Sequence, residues 1–277
     1  MSDAVVAHIS DIHFGGRADP PLLAALATFL PSLAPRAIVV SGDISQRARH
    51  GEFQAARWYF DRLAATAPVH VIPGNHDVQW WRSPWSLLGS DTKYVKYRTY
   101  FGENLAPVLE LDGLVIAGML SAHGVTPGST TWNINDTAVK GHLPAAEVAR
   151  VRALFQRLPA ETVRLATLHH NVIPGPISHR WGLARPRAAQ RALLTLDADV
   201  VLCGHDHTEA AGQIDGKLAV STAGTLSLRS RGGRPSTFNL VKVTATDVSI
   251  QHYVYDRPGA TFRPGDTTIY ARARRAV

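Results

Sequence analysis

The stretch AVVAHISDIHF, residues 4–14, decides how this chain is read: an apolar run of strand length stops at Ser10, and the next polar residues are Asp11 and His13. Four further apolar runs end the same way. AIVVSGD (37–43) delivers Asp43, VHVIPGNHD (69–77) delivers Asn75, His76 and Asp77, VRLATLHH (163–170) delivers His169 and His170, and DVVLCGHDH (199–207) delivers His205, Asp206 and His207. Short apolar runs bounded by Gly and Pro read as buried strands. Strand ends that all carry Asp, Asn or His point to one shared rim. N and O donors gathered there make a metal site, and their number suits two ions.

Outward from these motifs, the first third alternates strand and helix. Strands are expected at Ala4 to Ser10, Ala37 to Ser41 and Val69 to Ile72, with helices at Pro20 to Leu33 and Glu52 to Ala65. Further strands are read at Leu114 to Leu120, Val163 to Leu168 and Asp199 to Cys203, and helices at Pro144 to Leu158 and Arg187 to Leu196. After Gly204 the chain turns to short strands: Leu218 to Thr222, Thr237 to Val243 and Val248 to Tyr255. The early part reads as βαβ units and the late part as antiparallel strands. An α/β fold of two mixed sheets flanked by helices, a four-layer αββα sandwich, accommodates both within one domain, residues 1–277. The strands after Thr237, with Tyr253 and Tyr255, are expected to close the second sheet or to pair with a neighbouring subunit as a homodimer. Residues 78–101 carry Trp80, Trp81, Trp85, Tyr94, Tyr97, Tyr100 and Phe101, and this stretch either caps the rim or is a packed excursion.

Composition narrows the class. Of 277 residues, 45% are hydrophobic and 18% charged, the balance of a globular protein with a sizeable core. No 18-residue apolar stretch exists, so no membrane-spanning helix is expected. The first residues lack a basic segment followed by an apolar one, and Cys203 is alone, so no internal disulfide forms; a cytoplasmic location is the expectation. The net charge of +7 favours anionic ligands, but no Lys/Arg run is interleaved with aromatics, so nucleic-acid binding has no motif behind it.

The residue types suit hydrolysis. Two divalent ions about 3.5–4 Å apart orient a phosphate and generate hydroxide at neutral pH. One carboxylate must bridge such a pair, and Asp43, a lone Asp beside Gly42, is the natural bridge. Asp11 and His13 sit two apart, as do His205 and His207, so in an extended segment both members face one side. Asn75 offers a neutral carbonyl oxygen. Every donor is N or O, which suits Fe, Mn, Zn or Co.

The ordered set D-x-H, GD, GNHD, H and GHxH, from Asp11 to His207, resembles the calcineurin-like metallophosphoesterase family. The resemblance implies one ion held by Asp11, His13, Asp43 and His207, and another by Asp43, Asn75, His169 and His205. It casts His76 as the histidine that protonates or hydrogen-bonds the leaving group. His170 would stand behind the ligands or near the phosphate. Asn171 stands where the family often has Pro, a departure that bears on the loop rather than on the ligands. The segments AHISDIHF, VVSGDIS with EFQAAR, and IPGNHD look most like small bacterial cyclic-nucleotide and glycerophosphodiester phosphodiesterases, which implies a small phosphodiester substrate.

Blander roles compete. His8, His50, His70, His123, His142, His179 and His252 read as core or surface residues, and Cys203 as a small buried hydrophobe. Asp77 and Asp206 read as acceptors that brace loops. Arg17 and Arg47 are candidates for a phosphate clasp, though a surface Arg is the simpler reading. A phosphomonoesterase, a nucleotide or lipid pyrophosphate hydrolase, and a non-catalytic binding protein with a relic site are the alternatives.

Overall fold

The computed structural model describes residues 3–79, 91–124, 126, 128–129, 131, 136 and 139–273. In chain order its strands are β1 (Ala4–Ile9), β2 (Ala37–Val40), β3 (Val69–Val71), β4 (Val108–Leu111), β5 (Leu114–Gly118) and β6 (Val163–Thr167). They continue with β7 (Val200–Cys203), β8 (Ala210–Ile214), β9 (Leu218–Thr222), β10 (Thr237–Val243), β11 (Asp247–Asp256) and β12 (Thr261–Ala271). Helices α1 (Pro20–Phe29), α2 (His50–Leu63), α3 (Val95–Phe101), α4 (Ala145–Gln156) and α5 (Pro186–Leu193) complete the frame. No helix among the described residues is long and apolar enough to cross a membrane.

Two six-stranded mixed sheets result, ordered β12-β11-β10-β1-β2-β3 and β4-β5-β6-β7-β9-β8. Period-two alternation sends each central strand's side chains to two different layers. Ala4 and Val6 of β1, Leu114 and Ile116 of β5, and Val200 and Leu202 of β7 meet between the sheets. Ala7 and Ile9 face the opposite way, onto Leu22 and Leu26 of α1 and Phe53 and Phe60 of α2. Val115, Ala117 and Val201 pack against Val151 and Phe155 of α4 and Leu193 of α5. The order helices, sheet, sheet, helices is the expected αββα sandwich. Because both faces of each central strand are covered, those strands read as unbroken apolar runs.

Several expectations change in detail. The helix from Pro20 ends at Phe29, and Leu30–Leu33, with Pro31 inside, tightens to a 3-10 turn. Strands β10–β12 join the sheet of β1, with β10 antiparallel beside it, rather than the sheet that carries β6 and β7. Tyr253 and Tyr255 therefore pack toward α1 with Phe29, Phe238 and Phe262. Three strands escaped the sequence reading, and all three are sheet edges: β4, β8 and β12. An edge strand is half solvated and carries little pattern, and β12 also contains Pro264 and Gly265, tolerated because an edge needs no complete ladder. Of the aromatic stretch, Tyr97, Tyr100 and Phe101 pack against Phe53 of α2, and Tyr94 is buried in the same core cluster. Trp80, Trp81 and Trp85 lie outside the described residues.

Candidate metal centre

β1, β2 and β3 run parallel, and so do β5, β6, β7 and β9, so their carboxyl ends open onto one rim. Loops at such ends carry the ligands of open α/β sheets. The five motif loops all leave from there. Asp11 N donates to Gly42 O at 3.0 Å, His13 N to Asp43 O at 3.0 Å, and Gly204 N to His169 O at 2.8 Å, which stitches neighbouring loops together.

The side chains converge into two groups among the described residues. Asp11, His13, Asp43 and His207 present ligand atoms within 4.8 Å of one another, and Asp43, His169 and His205 form a second such group. In the first, His207 Nε2 lies 3.1 Å from Asp11 Oδ1 and 3.2 Å from His13 Nε2. His13 Nε2 is 3.8 Å from Asp43 Oδ2. In the second, His169 Nε2 is 3.3 Å from Asp43 Oδ1 and 3.1 Å from Asn75 Oδ1, and His205 Nδ1 is 3.0 Å from that same Asn75 oxygen. The two oxygens of Asp43 thus face different groups.

The backbone that achieves this is not the extended one expected. Asp11, His13, Asp43, His205 and His207 all have φ between 49° and 73°. Left-handed conformations in residues other than glycine cost energy and persist where the surroundings hold them. Two glycines make room. A Cβ on Gly74 would lie 2.2 Å from Asp43 N, and one on Gly204 would lie 2.0 Å from Ser10 Oγ. Asp77 braces the rim as expected, accepting from Ser45 N at 2.7 Å, Gly74 N at 2.8 Å and Ile44 N at 3.1 Å. Burial, and then Asp43, raise its carboxyl to about 6.

Whether these groups suit a cation is answered by their unmet demand. Asp11 Oδ1 is buried and has no hydrogen-bond donor. With a single ring proton, His169 donates Nδ1–H to Ser41 O at 2.8 Å and His207 donates Nδ1–H to Arg229 O at 2.9 Å, leaving both Nε2 lone pairs aimed inward. Burial works against the charged forms of Asp11 and Asp43. His207 nevertheless holds Asp11 at about 2, and His169, His76 and His13 hold Asp43 well below the usual carboxylate range. Burial would lower His169, yet Asp43 raises it to about 9. Burial pushes His13 down to about 3 and His205 well below its ordinary value. Ionised carboxylates that face imidazole nitrogens, with His169 and His207 raised so that a proton occupies the position between partners, fit metal ions, which compete with protons for the same sites.

Other residues take definite places. His76 N donates to Asp43 Oδ1 at 2.9 Å; its ring donates Nδ1–H to Gln46 O at 2.9 Å and accepts at Nε2 from Arg229 Nη1 at 2.9 Å. His170 is buried, bonded at Nδ1 to Ser121 Oγ (2.9 Å) and at Nε2 to Val139 O (3.1 Å), with its ring 4.6 Å from that of His205. Both nitrogens are engaged, so it backs His205 rather than facing a substrate. Asn171, in the Pro position, holds its own loop by donating to Ile173 O and Arg180 O. Asp206 accepts from Ser178 Oγ at 2.5 Å. Arg17 and Arg47 are exposed and stand apart from the groove over the cluster. That groove, about 790 Å³, is instead lined by Lys140, Arg180, Arg229 and Arg231. Sequence reasoning missed all four. Arg229 and Arg231 were findable, because β9 is one more parallel strand that ends at the rim and its loop reads SLRSRGGR (227–234).

A two-sheet αββα sandwich with paired His/Asp ligand sets at its strand ends is the architecture of a dinuclear metallohydrolase. The calcineurin-like phosphoesterase family matches residues 4–209, and the chain belongs to that family, whose members use two metal ions. Glycerophosphodiester phosphodiesterase GpdQ of Enterobacter lignolyticus (strain SCF1) is 34% identical over a stretch covering 34% of this chain and 38% of that protein. The match therefore spans well under half of that relative's length. The fold is similar to a dimetal phosphatase from Danio rerio, with TM-score 0.62 and 14% identity over 98% of this chain and 99% of that one. It is also similar to a purple acid phosphatase from yellow lupin seeds, with TM-score 0.69 and 10% identity over 98% of this chain and 54% of that one.

Proposed function

We propose that this protein is a metal-dependent phosphodiesterase acting on small phosphodiesters of the cyclic-nucleotide or glycerophosphodiester type. The observation that carries this proposal is Asp43, whose two oxygens face different ligand sets at 3.8 Å and 3.3 Å from the nearest imidazole nitrogens. Asp11, His13, Asp43 and His207 would hold one ion, and Asp43, Asn75, His169 and His205 the other; the donors suit Fe, Mn, Zn or Co. When bound, the two ions supply hydroxide at neutral pH and neutralise charge on the phosphoryl oxygens.

The chain's own groups do the rest. Arg229, held against His76 Nε2, brings guanidinium donors to the phosphate. His76, fixed through its backbone N–H to Asp43 and its ring N–H to Gln46, turns Nε2 toward the groove, where, carrying a second ring proton taken from solvent, it donates to the departing oxygen once substrate draws Arg229 away from it. His170 positions His205. The similarity to a glycerophosphodiester phosphodiesterase supports the diester preference.

Hydrolysis of bis-p-nitrophenyl phosphate, p-nitrophenyl phosphate and cyclic AMP by protein loaded with Mn²⁺, Fe²⁺ or Zn²⁺ tests the proposal. Turnover of the diesters above the monoester is expected. Preference for the monoester would make the protein a phosphomonoesterase, and no hydrolysis with any ion would leave a binding protein.

A further inference from the structure

The groove over the cluster holds more positive charge than one phosphodiester uses. Of the carboxylates that line it, Asp43 belongs to the ligand cluster, Asp206 accepts from Ser178 Oγ at 2.5 Å and lies 3.9 Å from Arg231 Nη2, and Asp136 accepts from Thr131 Oγ1 at 3.0 Å and favours the charged form of Lys140, which leaves Arg180 and Arg229 unmatched. Among the described residues neither Arg180 nor Arg229 makes an ion pair with a carboxylate. Arg229, on His76, is the cation assigned above to the scissile phosphate.

The other three cations are joined along one wall. Lys140 Nζ donates to Trp181 O. Arg180 N donates to Ser178 Oγ at 3.1 Å, Ser178 Oγ donates to Asp206 Oδ1, and Arg231 Nε donates to Asp206 O at 2.8 Å. Asp206 lies between His205 and His207, so this wall is anchored to the cluster. Arg187 packs on the Trp181 ring at 5.3 Å and braces it. Burial lowers the ammonium of Lys140 below its ordinary value; the charge of Asp136 works against that and the charge of Arg180 adds to it, and a bound anion would relieve both burial and repulsion.

We propose that Lys140, Arg180 and Arg231 form a subsite for a second anionic group, and that the preferred substrate is a small phosphodiester carrying a further phosphate on one of its alcohols. The proposal rests on the phosphodiesterase reading and names its substrate class. A groove of about 790 Å³ has room for both groups. Diesters of cationic alcohols are disfavoured by the same field.

Matched pairs test it: thymidine 5′-(p-nitrophenyl phosphate) with and without a 3′-phosphate, and glycerophosphoinositol with and without a 4-phosphate. The extra phosphate is expected to raise kcat/KM roughly tenfold, mainly through KM, the scale of one charge-assisted contact. Arg180→Ala should bring the ratio close to one, and Arg180→Lys should restore part of it. Preference in the thymidine pair alone assigns the subsite to nucleotides, and preference in the inositol pair alone assigns it to phosphorylated polyols. A ratio near one in both pairs overturns the subsite while leaving the phosphodiesterase; failure to cleave any member overturns the phosphodiesterase itself. Calorimetry on metal-stripped protein supplies a readout free of turnover. Thymidine 3′,5′-bisphosphate should bind more tightly than thymidine 5′-phosphate, and the difference should vanish in Arg180→Ala; equal binding by the unmodified protein would refute the subsite.

Discussion

Replacing Gly74 by alanine should open the cluster, although the backbone there suits any residue. Gly74 has φ −99° and ψ −175°, so strain in its own dihedrals is not the issue. The added Cβ would stand 2.2 Å from both Asp43 N and Asp43 Oδ1 and 2.9 Å from Asp43 Cα. A backbone nitrogen cannot rotate away, so the loops at 42–43 and 74–77 must part by about an ångström, the shortfall from ordinary van der Waals contact. That movement strains three contacts at once: Gly74 N to Asp77 Oδ2 at 2.8 Å, His76 N to Asp43 Oδ1 at 2.9 Å, and Asn75 Oδ1 beside His169 and His205. Overpacking costs about 1–3 kcal/mol, and weakening a hydrogen bond to a carboxylate adds roughly 1.5–3 kcal/mol. At about 2 °C per kcal/mol for a chain of this size, the melting temperature falls by roughly 5–12 °C. Metal analysis should show loss at the Asn75 side before the Asp11 side. Gly51→Ala is the control: no atom lies within 4 Å of the added Cβ, the site is in α2, and stability should hold or rise by up to ~1 kcal/mol. A Gly74→Ala protein with an unchanged melting temperature and full metal content would refute the close-approach argument.

Asp43→Ala should lose both ions and all turnover, whereas Asn75→Ala should keep the ion on the Asp11 side; elemental analysis that finds two ions in Asp43→Ala would remove the bridge. Arg229→Ala should lower turnover of bis-p-nitrophenyl phosphate by roughly 10²-fold, the usual worth of one transition-state donor, with metal content intact; unchanged kcat would place Arg229 outside the reaction. His70 is pushed by burial down to about 4, below the 6.5 of the unfolded chain, so as pH falls the unfolded chain takes its proton first. Its contribution of about 3 kcal/mol, at 1.36 kcal/mol per pKa unit, is complete above pH 6.5 and lost progressively toward pH 4. Urea unfolding of His70→Leu should therefore show a shallower fall in stability across that window than the parent protein, and identical slopes would exclude His70 as the titrating group.

The central strands and the motif residues were legible because burial on two faces makes a strand an unbroken apolar run, and each such run ended in an Asp, Asn or His. The edge strands β4, β8 and β12 were not, since one half-solvated side erases the pattern, and Pro264-Gly265 in β12 argues locally against a strand. Spacing suggested that Asp11 and His13 share a face through extended backbone. They share it instead through left-handed turns at φ 54° and 52°, which tight contacts between loops impose and no local sequence rule signals. The arginines escaped for a related reason. Arg17 and Arg47 sit near the motifs in sequence but off the groove, while Arg229 reaches His76 across 153 residues.

Unaided, the sequence determined which side chains stand at strand ends and what chemistry their donor atoms allow, because strand burial and turn composition are local properties. Only the tertiary structure decided that His13 and His207, 194 residues apart, meet at 3.2 Å, that Asp43 turns one oxygen to each ligand set, and that the groove's cations come from loops outside the motifs. Those distances follow from how two sheets pack and which loops wedge against one another, a balance of long-range contacts that no single segment encodes.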